Sequence, residues 1–259
     1  MPTFAHDGIR FSYLDRGAGP PLVFQHGLGG DMSQAGRYEV DRRLICLECR
    51  GHGGSHPLGP EVRLGFGTFA DDVLALLDHL ELETVDLAGV SMGAGVAARL
   101  AAEHPQRVRR LVLVRPAWFD QPSPPNLRAF TAIAALLRTG HPKSALLSTD
   151  AYRDVVAQSR AAGDSLLAQF DRPYARERAP VLERLPADAP LVGEAAWTAV
   201  AAPTLVIATQ EDPLHPFPMA HAIATALGSA LEEVTPKGVD EQRHDREVEA
   251  AIETLLATS

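Results

Sequence analysis

Short apolar runs alternate with stretches of helical periodicity along most of the 259 residues. Runs at 11–15, 22–25, 44–48, 85–90, 110–114, 204–208 and 231–234 are the candidate strands. Most are apolar almost throughout, without strict alternation, which predicts a mostly parallel sheet covered by helices on both faces. Thr68-Phe69-Ala70-Asp71 offers an N-cap threonine with an acidic residue three positions on, and Val73, Leu74, Leu77 and Leu80 then form one apolar face. A second helical stretch carries Val96, Ala97, Leu100 and Ala101 and stops at His104-Pro105. The pattern predicts a last helix over 247–257, with Val248, Ile252, Leu255 and Leu256 facing inward.

One region departs from the alternation. Gln121-Pro122-Ser123-Pro124-Pro125-Asn126 punctuates the chain, and from Leu127 to about Val200 the pattern is helical with no convincing strand. The expected organisation is therefore a core made of 1–120 and 201–259, interrupted by a helical cap over 121–200. No repeat or low-complexity tract is present.

Composition narrows the function classes. Hydrophobic residues make up 46%, enough for a full core, so disorder is excluded. The net charge of −9 and the lack of a basic cluster argue against a nucleic-acid partner. No apolar run approaches the roughly 20 residues that span a bilayer, and Met1 to Asp7 do not read as a signal peptide. A cytoplasmic protein with no membrane partner is expected, and a homo-oligomer stays open. Cys46 and Cys49 share a Cys-x-x-Cys spacing. A zinc site would need further cysteines, and a redox pair would normally open a helix, so buried strand thiols are the expectation.

Candidate chemistry centres on Gly89-Val90-Ser91-Met92-Gly93, between an apolar strand and an Ala-rich helix. A serine in so tight a turn reads as a nucleophile elbow, with glycines two positions either side because side chains there would collide with backbone. The bland alternative is a helix N-cap serine beside a glycine turn. A serine nucleophile needs a base, and the base needs an orienting acid, in the chain order serine, acid, histidine. Asp212, in Glu211-Asp212-Pro213 after the strand at 204–208, is the expected acid; Asp120 and the adjacent Glu211 are its rivals. His244, between the last strand and the last helix, is the expected base. Of the histidines before the serine, the four in positions worth weighing, His6, His26, His52 and His56, are on the wrong side for this order. His104 ends a helix and His141 falls in the cap, while His215 and His221 belong to the Asp212 loop and the helix after it. A histidine from a separate loop is the one placed to meet both serine and acid. His26-Gly27-Leu28-Gly29-Gly30 follows another strand, and its glycines would let the Leu28 N–H join that of Met92 in an oxyanion hole.

Taken in order, His26-Gly27, Arg50-Gly51-His52-Gly53-Gly54-Ser55, the elbow, Asp212 and His244 resemble the α/β-hydrolase fold family over nearly the whole chain. The resemblance implies an α/β fold with a mostly parallel central sheet flanked by helices, a structural role for the Arg50 to Ser55 turn, and a cap that selects the substrate. It also implies a serine hydrolase with no cofactor and no metal, acting on a small-molecule ester-like substrate. Lactones and carbon–carbon bonds are alternative targets of the same triad, and a ligand-binding or signalling member with slow turnover is the competing class. Trp118, Phe119, Phe130, Phe170, Tyr174 and Trp197 are candidates for an apolar acyl pocket. Two positions depart from the family pattern: Glu48 stands where aspartate is common, and Arg243-His244 replaces the usual glycine-histidine pair.

Overall fold

The computed structural model describes residues 1–257. Eight strands form one sheet: β1 (Thr3–His6), β2 (Ile9–Arg16), β3 (Pro21–Gln25), β4 (Arg43–Leu47), β5 (Val85–Val90), β6 (Val108–Val114), β7 (Thr204–Ala208) and β8 (Ala230–Glu233). Their order is β1-β2-β4-β3-β5-β6-β7-β8. β1 pairs antiparallel with β2, and β2 antiparallel with β4; every later pairing is parallel. Because β3 lies between β4 and β5, the chain leaves β3 in one direction and returns past it to reach β5. The loops after β3 and β5 therefore diverge, and a crevice opens at their carboxyl ends.

Ten α-helices complete the described residues: α1 (Ser33–Gly36), α2 (Phe66–His79), α3 (Met92–Glu103), α4 (Arg128–Thr139), α5 (Asp150–Gln158), α6 (Arg160–Leu167), α7 (Ala179–Arg184), α8 (Glu194–Trp197), α9 (Phe217–Leu227) and α10 (Glu241–Ala257). β5 is buried at every position, and its two faces feed different cores. Val85 and Leu87 pack with Phe69, Val73 and Leu77 of α2 and Val96 and Leu100 of α3. Ala88 and Val90 pack with Tyr38 and with Val248, Ile252 and Leu256 of α10. This two-sided burial explains why the central strands are apolar throughout. Between β6 and β7 the described chain is helical, α4 to α8 with intervening 3₁₀ turns. Polar ties join this layer to the sheet unit: Arg172 pairs with Asp31 at 2.9 Å, and Arg99 donates to the Pro190 carbonyl at 3.2 Å.

Several boundaries differ from the sequence pattern. β1 was not expected, since its four residues carry too little alternation to register. α2 starts at Phe66, not Thr68, because Asp188 accepts the Phe66 N–H at 2.8 Å and caps the helix from far along the chain. β8 sits one residue early. The largest shift is in α10, which begins at Glu241, six residues before the expected start. Asp240 Oδ1 accepts the Arg243 N–H at 2.9 Å, and the Lys237–Glu241 and Arg243–Glu247 pairs span successive turns. This first part of α10 is polar, so hydrophobic periodicity could not reveal it. Cys46 and Cys49 are free and buried, and burial pushes both thiols up.

Candidate active site

Ser91 links β5 to α3 with φ 56° and ψ −114°, a conformation L-residues rarely hold. The flanking glycines explain how it is tolerated. A Cβ on Gly89 would lie 2.1 Å from the Gly93 carbonyl oxygen, and one on Gly93 would lie 2.1 Å from that of Gln25. The Ser91 N–H is anchored to the Val114 carbonyl at 3.0 Å, and its own carbonyl accepts the Ala94 N–H at 3.1 Å. The serine therefore stands at the N-terminus of α3, where helix amides favour negative charge.

The turn after β3 faces it, with Ser91 Cβ 3.3 Å from where a Gly27 Cβ would stand. Three amides of the turn are engaged, and that of Leu28 has no partner among the described residues: Gly27 N–H donates to Gln34 Oε1 at 2.8 Å, Gly29 N–H to His52 Nε2 at 3.1 Å, and Gly30 N–H to the Gly27 carbonyl at 3.0 Å. Two buried histidines brace the turn. His26 Nδ1 donates to the Gly27 carbonyl at 2.9 Å while Nε2 accepts the Cys49 N–H at 3.0 Å. His52 Nδ1 donates to the Arg50 carbonyl at 3.0 Å while Nε2 accepts from Gly29. Both must be neutral to accept on one nitrogen. Burial pushes His26 down to about 4 and His52 well below the usual imidazole range.

Asp212 lies in the loop after β7. Its Oδ2 accepts from His215 Nδ1 at 2.8 Å and from Arg115 Nη1 at 3.1 Å, and Oδ1 accepts the Leu214 N–H at 3.2 Å. Burial opposes its charge, but His215 and Arg115 outweigh that and hold the carboxyl far below the usual carboxylate range. A turn closed by the His215 N–H on the Asp212 carbonyl at 3.2 Å folds the His215 ring back onto the carboxylate.

The structure brings Ser91, Leu28 and Asp212 to one cavity of about 390 Å³, whose wall also includes His215, Arg115 and Lys237. Ser91 Oγ forms no hydrogen bond with another described residue, and it shares the cavity wall with His215. Met92 is fully buried at the first turn of α3 and is not among the residues of the cavity wall.

His244 is not brought to this group. Because α10 starts early, His244 lies inside the helix on its buried side, 1% exposed, with its N–H bonded to the Asp240 carbonyl. Its Nδ1 donates to the Thr235 carbonyl at 2.8 Å, and its Nε2 is buried without a partner. Burial and then the Arg115 charge lower its proton affinity. Asp212 turns to His215 and Arg115 instead. The sequence pattern singles out neither His215 nor Arg115. The only signals were the three-residue spacing from Asp212 and a cation at a strand's carboxyl end. Asp120 does not reach the cavity wall.

The cavity is also more polar than its sequence suggested. The helical layer contributes Ser159, Asp164, Ser165, Gln169 and Arg172. Of the six candidate aromatics, only Phe130 reaches the wall; Trp118 packs on Phe66, Phe119 on Trp197, and Tyr174 on His56. Among the described residues, no cluster of His, Cys, Asp and Glu could hold a metal ion, and no helix is long and apolar enough to cross a membrane.

With elbow, acid loop and glycine turn at the carboxyl ends of a mostly parallel sheet, the molecule has the architecture of an α/β hydrolase. Residues 20–238 match the alpha/beta hydrolase fold family, and the chain belongs to it. It is 36% identical over 129 residues to a 2-hydroxymuconate semialdehyde hydrolase of Pseudomonas sp. (strain CF600), covering 47% of this chain and 45% of that protein. It is 35% identical over 112 residues to 3-oxoadipate enol-lactonase 2 of Acinetobacter baylyi, covering 41% and 40%. The chain thus spans less than half the length of these curated relatives. In three dimensions it resembles the enol-lactonase of Burkholderia xenovorans LB400, with a TM-score of 0.78 at 22% identity over 98% of this chain and 100% of that one.

Proposed function

We propose that the protein is a serine hydrolase that cleaves small, polar carboxylic esters through an acyl-enzyme. The observation that carries this reading is the strained Ser91 elbow sharing a cavity with a carboxylate-bound histidine. Ser91 Oγ attacks the substrate carbonyl carbon, and His215 Nε2 takes the hydroxyl proton. Nδ1 of His215 stays on Asp212, which fixes the tautomer and favours the imidazolium. The Leu28 and Met92 amides receive the oxyanion. As the carbon–oxygen bond breaks, the imidazolium returns its proton to the leaving alkoxide. Water, deprotonated by the same nitrogen, then attacks the acyl-enzyme and releases the acid and Ser91. On this reading the base is His215, and His244 supports the fold.

The helical layer acts as a cap and sets the substrate class. Its serines, Gln169 and ionic side chains favour short or polar acyl groups over long apolar chains, which would strip water from these groups without replacing it. p-Nitrophenyl esters from acetate to decanoate test this. The reading requires the acetate or a hydroxylated short acyl ester to have the highest kcat/KM, with activity lost in Ser91→Ala. Preference for the decanoate would overturn the assignment of substrate class. Likeness to an enol-lactonase and to a hydrolase of a semialdehyde favours a second reading, in which the same residues open a lactone or cleave a carbon–carbon bond. Turnover of an enol-lactone at least tenfold above any open ester would select it.

A further inference from the structure

Arg178 is anomalous in its placement. It follows the 3₁₀ turn Ala168–Asp171, is 2% exposed, and has no carboxylate within 4.0 Å among the described residues. Its Nε is buried without a partner. A buried guanidinium without an acidic partner is costly. Nη2 donates instead to Gln169 Oε1 at 3.2 Å and to the Gly29 carbonyl at 3.4 Å.

The Gly29 carbonyl belongs to the peptide unit that carries the Gly30 N–H. That N–H donates to the Gly27 carbonyl at 3.0 Å, and the Gly27 carbonyl in turn belongs to the peptide unit that carries the Leu28 N–H. Two peptide groups thus connect the guanidinium to the oxyanion donor, head to tail. Each hydrogen bond in such a chain polarises the next. His26 also donates to the Gly27 carbonyl, but as a neutral group.

We propose that Arg178 is a positioning residue for the reaction: through Gly29 and Gly27 it orients and polarises the Leu28 amide, so that a closed helical layer completes the oxyanion hole. The proposal rests on the reading of Ser91 as nucleophile and of Leu28 as oxyanion donor.

The experiment compares wild type, Arg178→Gln and Arg178→Lys on p-nitrophenyl acetate, with phenylboronic acid as the mimic of the tetrahedral intermediate. Removing an oxyanion donor outright costs about 10²–10³ in rate; weakening one through a relay is expected to cost Arg178→Gln about tenfold in kcat. KM should stay within about threefold, and boronate affinity should fall with kcat. Arg178→Lys keeps the charge and should retain most activity at neutral pH. A buried lysine loses its proton more readily than an arginine, so this variant should decline about tenfold as pH rises, where wild type does not. The charged and titratable groups facing the site are Arg172, Asp31, His26, His52 and His56, and they are common to all three proteins.

A folded Arg178→Gln with kcat within twofold of wild type would overturn the proposal. If that variant does not fold, a wild-type pH profile in Arg178→Lys overturns it equally. Labelling of wild-type Ser91 by a fluorophosphonate separates the two failures. Labelled wild type with unchanged variants sinks only the relay, whereas unlabelled wild type sinks the nucleophile on which it rests.

Discussion

Acid should loosen the glycine turn after β3, and the size of the effect follows from His26. In the fold, its Nε2 must accept the Cys49 N–H, so a proton there would set two donors against each other. The unfolded imidazole titrates near 6.5, and burial lowers the folded one to about 4. A group with lowered affinity in the fold binds its proton more readily when unfolded. Its stabilising contribution is therefore complete above pH 6.5 and is lost as pH falls towards 4. At about 1.36 kcal/mol per unit, the full loss is about 3 kcal/mol, of which about 2 kcal/mol falls between pH 7 and 5. His52 acts in the same direction. Urea unfolding followed by the fluorescence of Trp118 and Trp197, both 1% exposed, reads the stability directly. In His26→Gln the decline between pH 7 and 5 should shrink by about 2 kcal/mol, because the carboxylates and His52 remain in both proteins and cancel in the difference. Parallel declines in the two proteins would refute the assignment of His26 as a neutral, buried acceptor.

Two further outcomes follow from the site. His215→Ala should lose about 10²–10⁴ in kcat, the usual contribution of a general base, whereas folded His244→Gln should keep kcat within a few-fold and lose about 1–2 kcal/mol of stability; steady-state kinetics beside urea melts separate them, and the reverse pattern would return the base to the last helix. Gly93→Ala drives a Cβ to 2.1 Å from the Gln25 carbonyl oxygen and should cost about 3 kcal/mol or more with activity abolished; a variant as stable and active as wild type would contradict the elbow geometry.

The sheet was legible because its central strands are buried on both faces and therefore read as unbroken apolar runs. Ser91 was legible for a different reason: its turn tolerates only glycine at two flanking positions, a constraint that local sequence records. The base was not. Its position depends on where α10 begins, and that start is set by Asp240 and by ion pairs in a polar segment with no apolar stripe. A shift of six residues placed His244 inside a helix against the Thr235 carbonyl. The cap of Asp188 on α2 escaped for a different reason, since its partners are far apart in the chain. The polarity of the cavity was equally hidden, because aromatic residues in a helical layer do not reveal which side faces the site.

The central claim is that Ser91 is the nucleophile, and intact-mass measurement after exposure to a fluorophosphonate tests it most directly. The account predicts a single adduct on wild type, mapped by peptide sequencing to Ser91, with none on folded Ser91→Ala and a much slower adduct on His215→Ala. Folded wild-type protein that takes no adduct, or an adduct that persists in Ser91→Ala, would contradict it.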